Sequence, residues 1–229
     1  MKKKFLGVLL VAGMFVFSLT ACGTKEETLK EETKEETSNE TEKAEATYDN
    51  LTVDVDKKEV NFTAKLNGLY LTEPTRHGIV TNGGGNAEKA MFTTDASNID
   101  VNDALAQMGA SGDANVAMDD MKAAVSDNIV NTGDTLEYFI SWDGQDEIPF
   151  NEVLKASADF DWNVVFTGNR EVAESSKAGC VLCLDSCAAG VSVNALPVGA
   201  TGEGGMTFMV DESTGLGDGD EVTITIRVK

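Results

Sequence analysis

Aromatic residues stop at Phe17 and do not return until Tyr48. Between them the chain repeats itself: Lys25-Glu-Glu-Thr28, Lys30-Glu-Glu-Thr33 and Lys34-Glu-Glu-Thr37. A segment so polar cannot bury enough apolar area to offset the entropy of ordering it. Residues 22–47 therefore read as a solvated tether. All folding capacity lies in residues 48–229, a length suited to one domain with its own core.

What precedes the tether has the form of an export signal. Lys2, Lys3 and Lys4 are followed by an apolar run from Phe5 to Phe17, then by Leu19-Thr20-Ala21-Cys22. The run is shorter than the roughly 20 residues a spanning helix needs, and small residues before a cysteine mark a cleavage site. Leu-Thr-Ala-Cys resembles a bacterial lipobox. Residues 1–21 then form the signal peptide, and Cys22 becomes a diacylated first residue, since two chains anchor stably where one does not. The expectation is a lipid-anchored protein on the cell membrane, facing outside the cytoplasm.

Charge narrows the partners. Residues 48–229 hold 11 Lys plus Arg against 30 Asp plus Glu, a net of −19. Such a surface repels phosphate backbones, which argues against nucleic acid. Any protein partner is unspecified by the sequence.

Period-two alternation predicts strands over 51–55, 60–66, 136–142 and 221–229, with an Asp143-Gly144 turn after the third. Shorter candidates lie at 89–93, 163–167 and 207–210. Helices are expected over 103–108, capped by Asn102 and ended by Gly109, and over 116–125, capped by Asn115. A third turn or two is expected over 151–156. The fold class expected from this pattern is α+β, a mainly antiparallel sheet carrying two or three short helices.

The chemistry concentrates in Cys180-Val-Leu-Cys183-Leu-Asp-Ser-Cys187. This aligns with the last three ligand positions of the bacterial ferredoxin run. However, Lys177 stands where the first cysteine would be and Ala188 where the proline would be. The sole histidine, His77, can complete a Cys3His set, a standard closed zinc site. Export of an unfolded chain without a twin-arginine signal favours zinc over an iron–sulfur cluster. With Cys22 lipidated, three thiols remain, so one bridge and one free thiol is the rival arrangement. Inert buried thiols are a third.

Gly83, Gly84, Gly85 and Asn86 form a loop in which backbone amides could approach an anion. The run matches neither a P-loop nor a dinucleotide fingerprint, and a tight hairpin between two strands is the plainer reading. No G-x-S-x-G elbow supports a hydrolase, and no catalytic residue is assigned.

His77-Gly-Ile-Val, Asn86-Ala-Glu88-Lys89-Ala, Ser141-Trp142-Asp-Gly144, Phe160-Asp-Trp162, Phe166-Thr-Gly168 and the cysteine block occur in that order. Together they resemble the YdjY-like domain, a group of exported bacterial proteins sometimes labelled ferredoxin-like. The resemblance spans most of 51–229. The family's function is not established and it supplies no catalytic residues; the cysteine cluster with His77 is what leads to the expectation of a redox- or metal-linked accessory to a membrane electron-transfer or cofactor-handling system. The alternative is a non-catalytic surface lipoprotein that binds a ligand or partner and in which the cysteines are structural.

Overall fold

A computed structural model describes residues 48–229. The expected signal peptide, Cys22 and the expected tether lie outside the described residues. Twelve strands run β1 (Thr52–Asp54), β2 (Glu59–Leu66), β3 (His77–Thr81), β4 (Ala90–Thr94), β5 (Thr135–Trp142), β6 (Gln145–Pro149), β7 (Leu154–Ala156), β8 (Val164–Phe166), β9 (Cys180–Cys183), β10 (Ser192–Asn194), β11 (Phe208–Val210) and β12 (Glu221–Val228). Helix α1 (Asn98–Gln107) lies between β4 and β5, and α2 (Arg170–Ser176) between β8 and β9.

Eight strands close on themselves in the order β2-β12-β5-β8-β10-β9-β3-β4, with β4 returning to β2. The closing contact pairs Lys65 with Thr93 and Leu66 with Phe92. Neighbours are antiparallel except β3–β4 and β9–β10, which are parallel. Strand β1 shares an edge of β2 with β4, β6 adds to β5, and β7 and β11 pair separately.

The expected α+β class is therefore wrong: the domain is mostly β, a closed barrel with two α-helices. The reason is visible in β3, β9 and β10. Cys180–Cys183 and Ser192–Asn194 are buried at every position, so they lack the alternation that reveals a half-exposed strand. Without them a sheet has open edges; with them it closes.

The alternating strands fill the barrel. Phe62, Ala64 and Leu66 of β2, Leu136, Tyr138 and Ile140 of β5, and Val222, Ile224 and Ile226 of β12 join one core. Helix α1 adds Val101, Ala104 and Leu105 to it.

The helix expectations need correction too. Helix α1 starts earlier than expected because Ser97, not Asn102, caps it: its Oγ accepts from the N–H groups of Ile99 and Asp100. Asn102 lies inside the helix. Residues 116–125 form no α-helix, only 3₁₀ turns at Met118–Lys122 and Val125–Asp127. The turn at Phe150–Val153 runs directly into β7.

Candidate metal centre

Cysteines three apart on a regular strand face opposite sides. Strand β9 breaks that rule. Against β3, Val80 pairs with Cys180 while Ile79 pairs with Leu182, leaving Val181 extra. A bulge of this kind inserts one residue and turns the following side chains over. Val181 and Leu182 accordingly both join the barrel core, whereas Cys180 and Cys183 both join a second cluster with Val80, Ala90, Val165 and Val193. The thiols thus lie together on the outer wall of the barrel, beneath Met121 and Val172.

His77 opens β3 directly opposite Cys183. Its Nδ1 is 3.9 Å from Cys180 Sγ, and the donor atoms of His77, Cys180 and Cys183 all lie within 4.8 Å of one another. Cys187 is not in that compact group. It sits one loop further on, against Cys183, and shares the same apolar cluster.

The loop from 184 to 191 that carries Cys187 is buried along its whole length. Loops rarely are, because buried backbone must find partners. Here it does. The N–H of Leu184 donates to Arg76 O and that of Ser186 to Leu196 O. Cys187 N–H donates to Asn131 Oδ1 and Ala188 N–H to the Met121 sulfur. Asn169 Nδ2 donates to Ala188 O and Thr167 Oγ1 to Gly190 O. A proline at 188 would have no N–H to give, which suits the alanine found here. Within the loop, Asp185 accepts from Arg76 Nη2 at 2.5 Å and from Thr201 N and Oγ1.

The electrostatics separate the thiols. Cys180 is drawn down to about 5, chiefly by the Cys183 S–H pointing at it, with further help from His77 and from Asn86 Nδ2 at 3.4 Å. Cys183 is pushed well up by the same bond and by its burial. Cys187 is also drawn down by Cys183. Cys183 has a single S–H to give, so at any moment it supports one of its two neighbours, and Cys180 has the additional donors. An ultraviolet thiolate titration of the metal-free protein should therefore show a thiolate protonating with a midpoint of about 5, lost in Cys180→Ser. Three thiols titrating together near the ordinary value of about 8.5 would rule this arrangement out.

The glycine run has a different neighbour from the one its composition suggested. A Cβ on Gly84 would lie 2.8 Å from Ala178 O and from the Gly179 Cα, and Gly85 N–H and Asn86 N–H donate to Lys177 O and Ala178 O. Gly83 takes a φ of +79°. The run packs on the chain entering β9 and brings the Asn86 side chain to Cys180. Its flanking strands are parallel, so it is a crossover and not a hairpin.

Sequence reasoning missed Asn131, Met121 and Asp185. Only Asp185 carried a signal, as an acid inside an otherwise apolar cysteine block.

On the other side of His77 a pocket of about 490 Å³ opens, lined by Tyr70, Thr75, Arg76, His77, Lys89 and Met206 among others. Gly83, Gly84, Gly85 and Asn86 do not line it.

No solved structure matches the chain. Uncharacterized protein YdjY of Escherichia coli (strain K12) is 33% identical over 159 residues, covering 66% of this chain and 68% of that protein. The profile of the YdjY domain matches residues 51–227, from just before β1 to Arg227 in β12, and the chain belongs to the YdjY domain family.

Proposed function

We propose that the protein is an extracytoplasmic lipoprotein, held to the membrane through Cys22, whose YdjY domain binds a thiophilic metal ion through Cys180, Cys183 and His77. It would act as an accessory to a membrane electron-transfer or cofactor-handling system. The observation that carries the reading is the grouping of those three donor atoms within 4.8 Å. With Zn–S near 2.3 Å and Zn–N near 2.0 Å, tetrahedral donors stand roughly 3.5–3.8 Å apart. The 3.9 Å between Cys180 Sγ and His77 Nδ1 is already close to that. A buried thiolate also gains from a cation, since burial alone penalises its charge.

Zinc is the probe. Protein purified without reductant, stripped and reloaded, should hold close to one zinc, and His77→Ala should weaken retention about tenfold or more, equivalent to about 1.4 kcal/mol. A mass 2 Da low with no bound metal would instead favour the redox reading. That second reading draws support from Cys183 lying between two thiols, one of them held as thiolate. There, two thiols would give up two protons and two electrons to an external disulfide or quinone.

Anchoring is tested separately. Cys22→Ser removes the thioether site, so the variant should leave the membrane fraction or remain unprocessed. Full-size mature protein still in the membrane would refute the lipid anchor.

A further inference from the structure

The pocket beside His77 is of a size used for small molecules, which typically occupy a few hundred Å³. Tyr70, Pro74 and Met206 give it an apolar wall. Arg76, His77 and Lys89 line the same pocket. Residues 48–229 carry a net charge of −19, with only 11 cationic side chains and one histidine. Two of those cations and the histidine meet here. Asp185 behind Arg76 offsets part of the charge, and Glu203 lines the pocket as well.

The Lys89 ammonium remains uncommitted. Among the described residues Lys89 has no ion-pair partner, and nor do Lys58, Lys65, Lys155 and Lys177; the six other cations do. Arg76 Nε, sealed from the pocket's solvent, is one of five buried side-chain polar atoms with no hydrogen-bond partner there, so any ligand would meet Arg76 through its partly exposed face. Buried polar groups are nearly always satisfied, and an orphan commonly marks a missing ligand or water. The threonines, by contrast, are occupied: Thr75 Oγ1 donates to Lys89 O and Thr201 Oγ1 to Asp185.

We propose that this pocket binds a small organic carboxylate, its charged end at Lys89 and Arg76 and its apolar part against Tyr70, Pro74 and Met206. The apolar wall is what selects an organic acid over an inorganic anion. His77 lines the pocket and also stands 3.9 Å from Cys180, so ligand and metal would each alter the other's affinity by the same factor. The pocket itself does not require the metal.

Calorimetric titration of the full mature chain with benzoate, acetate and inorganic phosphate tests this. Benzoate should bind best, and Lys89→Gln should weaken it about tenfold, the loss of one charge contact. Lys65→Gln, on the exposed face of β2, should change nothing. Met206→Ala should weaken benzoate more than acetate. Absence of binding up to roughly 10 mM (a free energy of only about −2.7 kcal/mol), equal loss in Lys65→Gln, or phosphate binding tighter than benzoate would each overturn the assignment. Benzoate binding retained in Cys183→Ser, which removes a metal ligand, would uphold the pocket even if the metal reading fails.

Discussion

Arg76→Met should destabilise the domain by about 3 kcal/mol, measured by urea denaturation. The Asp185 carboxylate is completely buried and the Arg76 side chain is 28% exposed. Removing one partner of a buried pair typically costs 3–5 kcal/mol, because the other charge is left without compensation. The lower figure applies here: Thr201 still donates twice to Asp185, and water can follow through the exposed side of Arg76. Asp185→Asn should cost less, since it keeps the planar side chain with one acceptor oxygen and leaves a guanidinium that can rehydrate. Arg76→Met combined with Asp185→Leu should cost less than the two single changes added together, as removal of both charges is often close to neutral. A loss below about 0.5 kcal/mol for Arg76→Met would show that the pair does not hold the loop. The effect bears on the site because Arg76 adjoins His77 and Asp185 lies between Cys183 and Cys187. Zinc retention should fall in the same variant.

That pair also shows where the sequence stops being informative. Strands β2, β5 and β12 alternate between the barrel interior and a more exposed face, and their expected limits lie within a residue of those found. Strands β3, β9 and β10 are covered on both sides, the second side by the segment from 112 to 133 and by α2, so no alternation survives. Losing those three strands turns a closed barrel into an apparent open sheet, and that error produced the α+β expectation. Asn115 and the apolar residues after it imitate a capped helix, but of 116–125 only Val116 is buried, and Met118 and Val125 stay exposed, so no apolar face packs to hold a helix. Val116 joins Ala188 and Val198, and Asn115 bonds the Val130 carbonyl across the segment. The cysteine spacing and the lone histidine identified the soft donors, and the structure groups His77 with two of the three cysteines. Cys187 stands apart from that group because the bulge at Val181 turns Cys180 and Cys183 to one side while the loop carries Cys187 onward. A bulge has no composition of its own. Nor did Asn131, more than 50 residues from Cys187, show in the sequence that its carboxamide would hold that residue's N–H.

The largest effect is expected from Gly112→Ala. A Cβ there would lie 2.2 Å from the Thr167 carbonyl carbon, 2.4 Å from Gly168 N and 2.5 Å from Phe166 O. All three are backbone atoms, so no side chain can swing aside. Gly112 also bridges to Gly133, and Ala114 N–H donates to Thr167 O. The two ends of the 112–133 segment are thus closed against β8 at this crossing. Overpacking a core with side chains that can move costs roughly 1–3 kcal/mol; with an immovable backbone the cost should exceed about 3. The damage should reach the thiols, because this segment contributes both Asn131, which holds Cys187 N–H, and Met121, whose sulfur accepts from Ala188. Cys187, 9% exposed in the intact fold, should become the fastest of the three cysteines to alkylate. Gly144→Ala supplies the control. It has a φ of +80° but nothing within 4 Å of a new Cβ, so it should lose only the roughly 1 kcal/mol of a left-handed alanine and leave the thiols protected. If Gly112→Ala melts at the wild-type temperature and its cysteines alkylate no faster, the crossing is not what keeps the outer wall of the barrel closed over the thiols.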